Sequence, residues 1–109
     1  MSIINNKSEG EPYAESAVLT AMLGDNPKVK ILSVLLKTGR DINVSQIADQ
    51  AGMSRSTVYE HIDGLQAISV VEKTREVGGS PLYQLNRDSE AAEYLGKLEW
   101  ALLDEFADE

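Results

Sequence analysis

The run Ser54-Arg55-Ser56-Thr57-Val58-Tyr59-Glu60 holds the residues best suited to chemistry with a partner. Hydroxyls, a guanidinium and a phenol crowd the start of one helical segment, where unpaired backbone N–H groups already favour anions. Groups of this kind donate hydrogen bonds to phosphate oxygens and base edges, and Glu60 could accept one from a cytosine. Bond-making chemistry has little to work with. The chain has no cysteine, one histidine, no phosphate-binding loop motif and no carboxylate pair outside solvated helices. No catalytic residue and no cofactor is expected. His61 falls at the border of an apolar face, and zinc takes several protein ligands, so a packed or phosphate-touching imidazole is expected and no metal site.

A second cluster lies downstream. Lys73 and Arg75 alternate onto one face of a β-rich segment, Val70–Arg75, which a Glu76-Val77-Gly78-Gly79-Ser80-Pro81 hairpin joins to Leu82–Asn86. A Gly78-Gly79 tip allows close approach to another backbone. It is no nucleotide loop, since the Lys-Ser/Thr pair and the strand-to-helix setting are missing. A solvated ribbon would also expose some Lys and Arg.

These clusters need elements to position them. Asn26-Pro27 is a helix start, with Asn26 as cap and Pro27 at the first helical position. Ile31, Leu32, Leu35 and Leu36 then form an apolar face ending at Gly39. Asp41-Ile42-Asn43 admits a short strand. Asn43 and Gln46 fit a capping box that opens a helix through Ala51, and Gly52 supplies the left-handed residue that closes it. Ser54 caps the next helix, whose Val58, Ile62 and Leu65 fall on one side. At about 100° per residue, Ser56, Tyr59, Glu60 and Asp63 fall on the other, with Arg55 and Thr57 flanking the N-terminus. Ala48 is small where two helices must cross, and Gly52 and Val58 follow at the spacing a tight helix-turn-helix requires. Ser54 would cap this helix in any protein, and Tyr59 could instead cover an edge of the core.

Upstream, Tyr13–Leu23 places Ala14, Val18, Leu19 and Met22 at helical spacing, after a polar arm over residues 1–12. Downstream, Asp88–Phe106 reads as one long helix with Ala91, Leu95, Leu98 and Leu102 on a stripe, to which Trp100, Leu103 and Phe106 add. That is more apolar surface than one small domain needs to cover, which points to a self-associating surface with Leu95, Leu98, Leu102 and Phe106 at its centre. The expected organisation is a flexible arm (1–12), one domain with its N-terminal helix (13–87) and a C-terminal helix for dimerisation (88–109). The fold class is mainly α with a small β-hairpin wing.

The 109 residues carry a net charge of −8, which argues against a simple polyanion binder until its distribution is considered. Residues 1–27 sum to −3, residues 28–87 to +2 and residues 88–109 to −7. The acidity sits at the ends, and the middle permits contact with DNA. Acidic ends suit a high-salt cytoplasm, or else limit non-specific association. No apolar run is long enough for a membrane span, and no signal peptide is recognisable, so a cytoplasmic location is expected.

Residues 26–103 resemble the winged helix-turn-helix transcription regulators of archaea, of the ArsR-like and TrmB-like kind, in a halophile-like style. The resemblance rests on Asn26-Pro27, Ile31-Leu32, Ile47-Ala48, the run Gly52 to Ile62, Val70-Val71-Glu72 and Tyr83-Gln84-Leu85-Asn86. It implies a homodimer that binds double-stranded DNA sequence-specifically. A recognition helix over about 54–66 would enter the major groove through Arg55, Ser56 and Tyr59, with Ser54 and Thr57 on phosphate. A wing over 73–82 would place Lys73, Arg75, Gly78 and Gly79 on the backbone or minor groove. A winged helix serving protein–protein assembly is the alternative, favoured by the acidic Glu60 and Asp63. The chain departs from the resemblance at Ser69, where such folds often have Gly, and in lacking the cysteine-rich metal sites of ArsR metalloregulators. No small-molecule effector is readable from it.

Overall fold

The computed structural model describes residues 18–107. The arm expected over 1–12 and the start of the first helix lie outside them. In chain order come α1 (Val18–Leu23), α2 (Pro27–Thr38), β1 (Ile42–Asn43), α3 (Val44–Ala51), α4 (Arg55–Ala67), β2 (Val71–Val77), β3 (Ser80–Leu85) and α5 (Glu90–Ala107). The strands form one antiparallel sheet in the order β1-β3-β2, and α1 lies against both α2 and α5.

Local chemistry fixes the ends of the central helices. Asn26 Oδ1 accepts from Val29 N at 3.0 Å to start α2, and Gly39 ends it in the left-handed region. Asn43 and Gln46 make the reciprocal capping box, at 3.0 Å and 2.8 Å, and Gly52 closes α3 at φ +71°. Ser54 Oγ accepts from Thr57 N at 3.1 Å and starts α4.

The core gathers between α2, α3, α4 and the sheet. Ile31, Val34 and Leu35 meet Ile47, Ala48 and Ala51, then Val58, Ile62 and Leu65, with Ile42, Val71 and Tyr83 from the strands. Val58 is 0% and Ile62 1% exposed. Burying each such side chain contributes about 1.5–3 kcal/mol before entropy is counted. The inner side of α4 is therefore fixed by apolar contact, which leaves its outer side free to be polar.

Three expectations needed correction. The hairpin is tighter than expected: β2 runs on to Val77 and β3 begins at Ser80, so only Gly78 and Gly79 form the turn, both at positive φ (58° and 84°). Two consecutive positive-φ glycines make the two-residue turn whose twist matches that of the strands. Pro81 then sits within β3, beyond the end of β1, where its missing N–H leaves no neighbour unsatisfied. Second, α5 begins at Glu90, because Ser89 Oγ, not Asp88, accepts from the Ala92 N–H at 3.1 Å. Within that first turn Ala92 is buried and Ala91 is exposed. Third, Met22 is exposed, while Val18 and Leu19 are buried as expected.

Candidate nucleic-acid interface

The first turn of α4 projects from the body of the domain. Ser54, Arg55, Ser56, Tyr59, Glu60 and Asp63 are all exposed, and Tyr59 retains 55% of its surface. Thr57 is half-buried, and its hydroxyl and that of Ser54 lie 2.9 Å apart, so these two serve the cap first. Arg55 reaches back toward α3, with Nη1 3.5 Å from Ser45 Oγ. His61 is half-buried, with Nε2 4.0 Å from a Glu60 carboxylate oxygen. Among the described residues no set of three or more His, Cys, Asp or Glu could hold a metal ion.

The wing comes close to this helix. Arg55 and Tyr59 line one cleft with Gly79, Ser80 and Pro81 of the hairpin and with Asn43, Val44 and Ser45 at the start of α3. A second, open groove runs from Asn43 and Ser45 through Gly52 to Ser54 and Arg55. Three chain segments thus present one continuous polar surface: the N-terminus of α3, the N-terminus of α4 and the hairpin tip. Ser80, within the wing expected over 73–82, belongs to it, as do Asn43 and Ser45, which were not foreseen. Their only sequence signal is position, since each lies beside a cap or turn that the sequence does mark.

Lys73 and Arg75 do not share a face, contrary to expectation. Lys73 pairs with Tyr83 and Arg75 with Leu82, leaving Thr74 as an extra residue in a β-bulge. Neighbours along β3 point to opposite sides and cross-strand partners share a side, so the two cations point to opposite sides of the ribbon. Lys73 lies on the side of α4. Tyr83 reflects that environment: burial raises its phenol pKa, as does the charge of Asp63, and the Lys73 charge opposes them. Lys73 Nζ stands 3.4 Å from Glu76, a loose contact between two half-exposed groups.

Arg75 is held on the other side. Its Nε and Nη2 donate to the two oxygens of Asp41 at 3.0 Å and 3.3 Å, and Thr74 Oγ1 donates to the same carboxylate. The hydrogen bonds from Arg75 and then Thr74 hold the Asp41 carboxyl below the usual carboxylate range, and Asp41 raises the guanidinium in turn.

Ser69, between α4 and β2, takes φ +65°, the only non-glycine residue with positive φ among those described. The turn keeps a glycine-like shape despite its serine. Asn86 braces it, Nδ2 donating to Ser69 O at 2.9 Å and its backbone N–H to Val70 O at 2.9 Å.

On α5, Leu95, Leu98, Leu102 and Leu103 are half-buried within the chain itself, whereas Trp100 is 73% exposed and Tyr94 is also open. Phe106 lies outside the residues whose side chains are described. Among the described residues no helix is long and apolar enough to cross a membrane.

A helical trio with a two-stranded wing, its third strand supplied between α2 and α3, defines a winged helix-turn-helix fold. Residues 28–79 match the HTH_11 family model, an HTH domain. Solved structures share the architecture. A MarR-family transcriptional regulator from Silicibacter pomeroyi matches at TM-score 0.62 and 21% identity, over 96% of this chain and 70% of that one. The AntR antimony-specific transcriptional repressor matches at 0.60 and 20%, over 87% of this chain and 82% of that one. The transcriptional repressor CouR, bound to a 23-mer DNA duplex, matches at 0.56 and 15%, over 95% and 72%. No curated protein matches the chain closely in sequence.

Proposed function

We propose that this protein is a cytoplasmic transcriptional regulator, not an enzyme, that binds double-stranded DNA sequence-specifically as a homodimer. One observation carries the reading: the outer side of α4, with Arg55, Ser56 and Tyr59, is uncovered by the described chain and continuous with the wing tip. The helix enters the major groove N-terminus first, Arg55, Ser56 and Tyr59 facing base edges and Ser54 and Thr57 near phosphate. Glu60 accepts from a base or rejects wrong ones, and Lys73, Gly78 and Gly79 meet the backbone or minor groove. The DNA-bound state of CouR, a structure of the same fold, supports the choice of partner.

Dimerisation is carried by α5. Trp100 and Tyr94, with Met22 and Leu23 of α1, leave large apolar side chains in water, where a partner copy would cover them. The half-buried Leu95, Leu98 and Leu102 are assigned to the same partner surface, as is Phe106, whose side chain lies outside those described. Two-fold symmetry then sets two recognition helices about one helical turn apart on a palindromic site. The domain plan is a DNA-binding unit over 13–87 and a dimerising helix over 88–109, with the segment 1–12 outside the described residues. The acidic ends fit a halophilic archaeal source, and the chain's own style is ArsR-like or TrmB-like within this fold.

The test is a mobility-shift titration on the promoter region of the protein's own gene across a salt series. A preferred sequence retained at high salt is the expected result, and the absence of any preferred sequence would sink the reading. Exposed Glu60 and Asp63 favour a second reading, a winged helix that docks on another protein. A single stoichiometric protein partner together with no DNA retention would select it.

A further inference from the structure

We propose that Asp41 is a positioning residue that ties the wing to the sheet and keeps Arg75 off DNA phosphate, lowering non-specific binding. This rests on the DNA-binding reading above. Four observations carry it. The Asp41 carboxylate receives both the Nε and the Nη2 donors of Arg75, which is the forked edge a phosphate would otherwise take. It also receives the Thr74 hydroxyl, so a phosphate would have to displace a carboxylate that serves three donors. The anchor is largely covered: the Asp41 side chain is 16% exposed, next to β1, while Arg75 is 64% exposed and would otherwise be free to swing. Finally, the tie falls on Thr74 and Arg75, where the bulge bends the ribbon, so it fixes the wing's tilt as well as the charge.

Lys73 shows the contrast within the same strand. Its contact with Glu76 is a single 3.4 Å approach between two half-exposed groups three residues apart, which a phosphate can replace. One wing cation is therefore available to DNA and the other is withheld. Withholding a cation on the side away from α4 removes attraction that would act on every sequence alike, and leaves discrimination to α4.

The experiment measures affinity for a preferred duplex and for a scrambled duplex across a salt series, using the full chain. Asp41→Asn keeps the shape of the side chain and removes its charge. It is expected to bind scrambled DNA about five- to eightfold more tightly near ~0.1 M salt, with a log–log salt slope steeper by about 0.9, one extra phosphate contact. The ratio of preferred to scrambled affinity falls. Arg75→Gln alone is expected to leave scrambled binding within twofold of the unaltered protein, and, added to Asp41→Asn, to abolish the gain. Unchanged or weaker scrambled binding by Asp41→Asn, or a clear loss from Arg75→Gln alone, overturns the proposal while leaving the DNA-binding reading intact. Should Asp41→Asn fail to fold, Arg75→Gln decides by itself. Failure of the unaltered protein to bind any duplex overturns both.

Discussion

The recognition helix and the wing share one surface but are fixed to the domain by different forces. Helix α4 is held by Val58, Ile62 and Leu65, all buried in the common core. Beyond Val71 and Glu72, strand β2 is exposed throughout, and Thr74 and Arg75 tie it to the body through the carboxylate of Asp41. Apolar burial is non-directional and insensitive to dilute salt, so it gives α4 a stable seat without dictating its outer residues. A hydrogen-bonded ion pair is directional, so it sets an angle. The helix can therefore change its outward-facing residues without losing its place. The wing, seated at its base by buried Val71, Leu82 and Tyr83, takes its tilt farther out from a few polar groups.

The sharpest way to break this comparison is to attack the helix from beneath. Ile62→Ala is expected to destabilise the fold by about 2–5 kcal/mol, because a buried side chain is lost and a cavity remains. Denaturant melts at fixed protein concentration would show it as a lower midpoint with little change in slope. A loss below about 1 kcal/mol would mean that α4 is seated by something other than the core.

Next in size are the two cations that face DNA under the proposed function. Arg55→Ala is expected to cost about 1–3 kcal/mol on the preferred duplex and far less on a scrambled one, as a base-reading residue should. Lys73→Ala is expected to weaken both duplexes evenly and to make the salt slope shallower by about 0.9. Both come from the same titrations, and an exchange of the two patterns would assign base reading to the wing instead of the helix.

The sequence was most legible where structure is local. Asn26-Pro27, the Asn43–Gln46 box, Gly52 and Ser54 each act within one turn of helix, so their geometry follows from neighbouring residues alone. The inner and outer sides of α4 followed from its period and match the observed burial. The wing was less legible, because its register depends on a distant partner. Thr74 and Arg75 both reach Asp41, more than thirty positions earlier in the chain, and nothing in the alternation around Lys73 announces a bulge. The placement of both wing cations on one face failed for that reason. Ala91 failed for a smaller one: it lies in the first turn of α5, which begins at Glu90 after the Ser89 cap, and the neighbouring Ala92 is the residue buried there.

The smallest expected effect concerns Ser69, which joins the two regions. A serine at φ +65° sits where its Cβ crowds the backbone, at a cost of roughly 1–2 kcal/mol relative to a helical conformation. Glycine would relieve that strain but would also loosen the unfolded chain, which takes back about 0.4–1 kcal/mol. The net expectation for Ser69→Gly is a gain of about 0.5–1 kcal/mol in denaturant melts. The hydrogen bonds from Asn86 to Ser69 O and Val70 O use backbone acceptors, so they survive the substitution. Because Asp41 ties the wing farther out, its tilt should not depend on this turn, and affinity for the preferred duplex should stay within twofold. Lower affinity in a more stable protein would show the opposite: that stiffness at Ser69 also aims the wing, and that the helix and ribbon are positioned together.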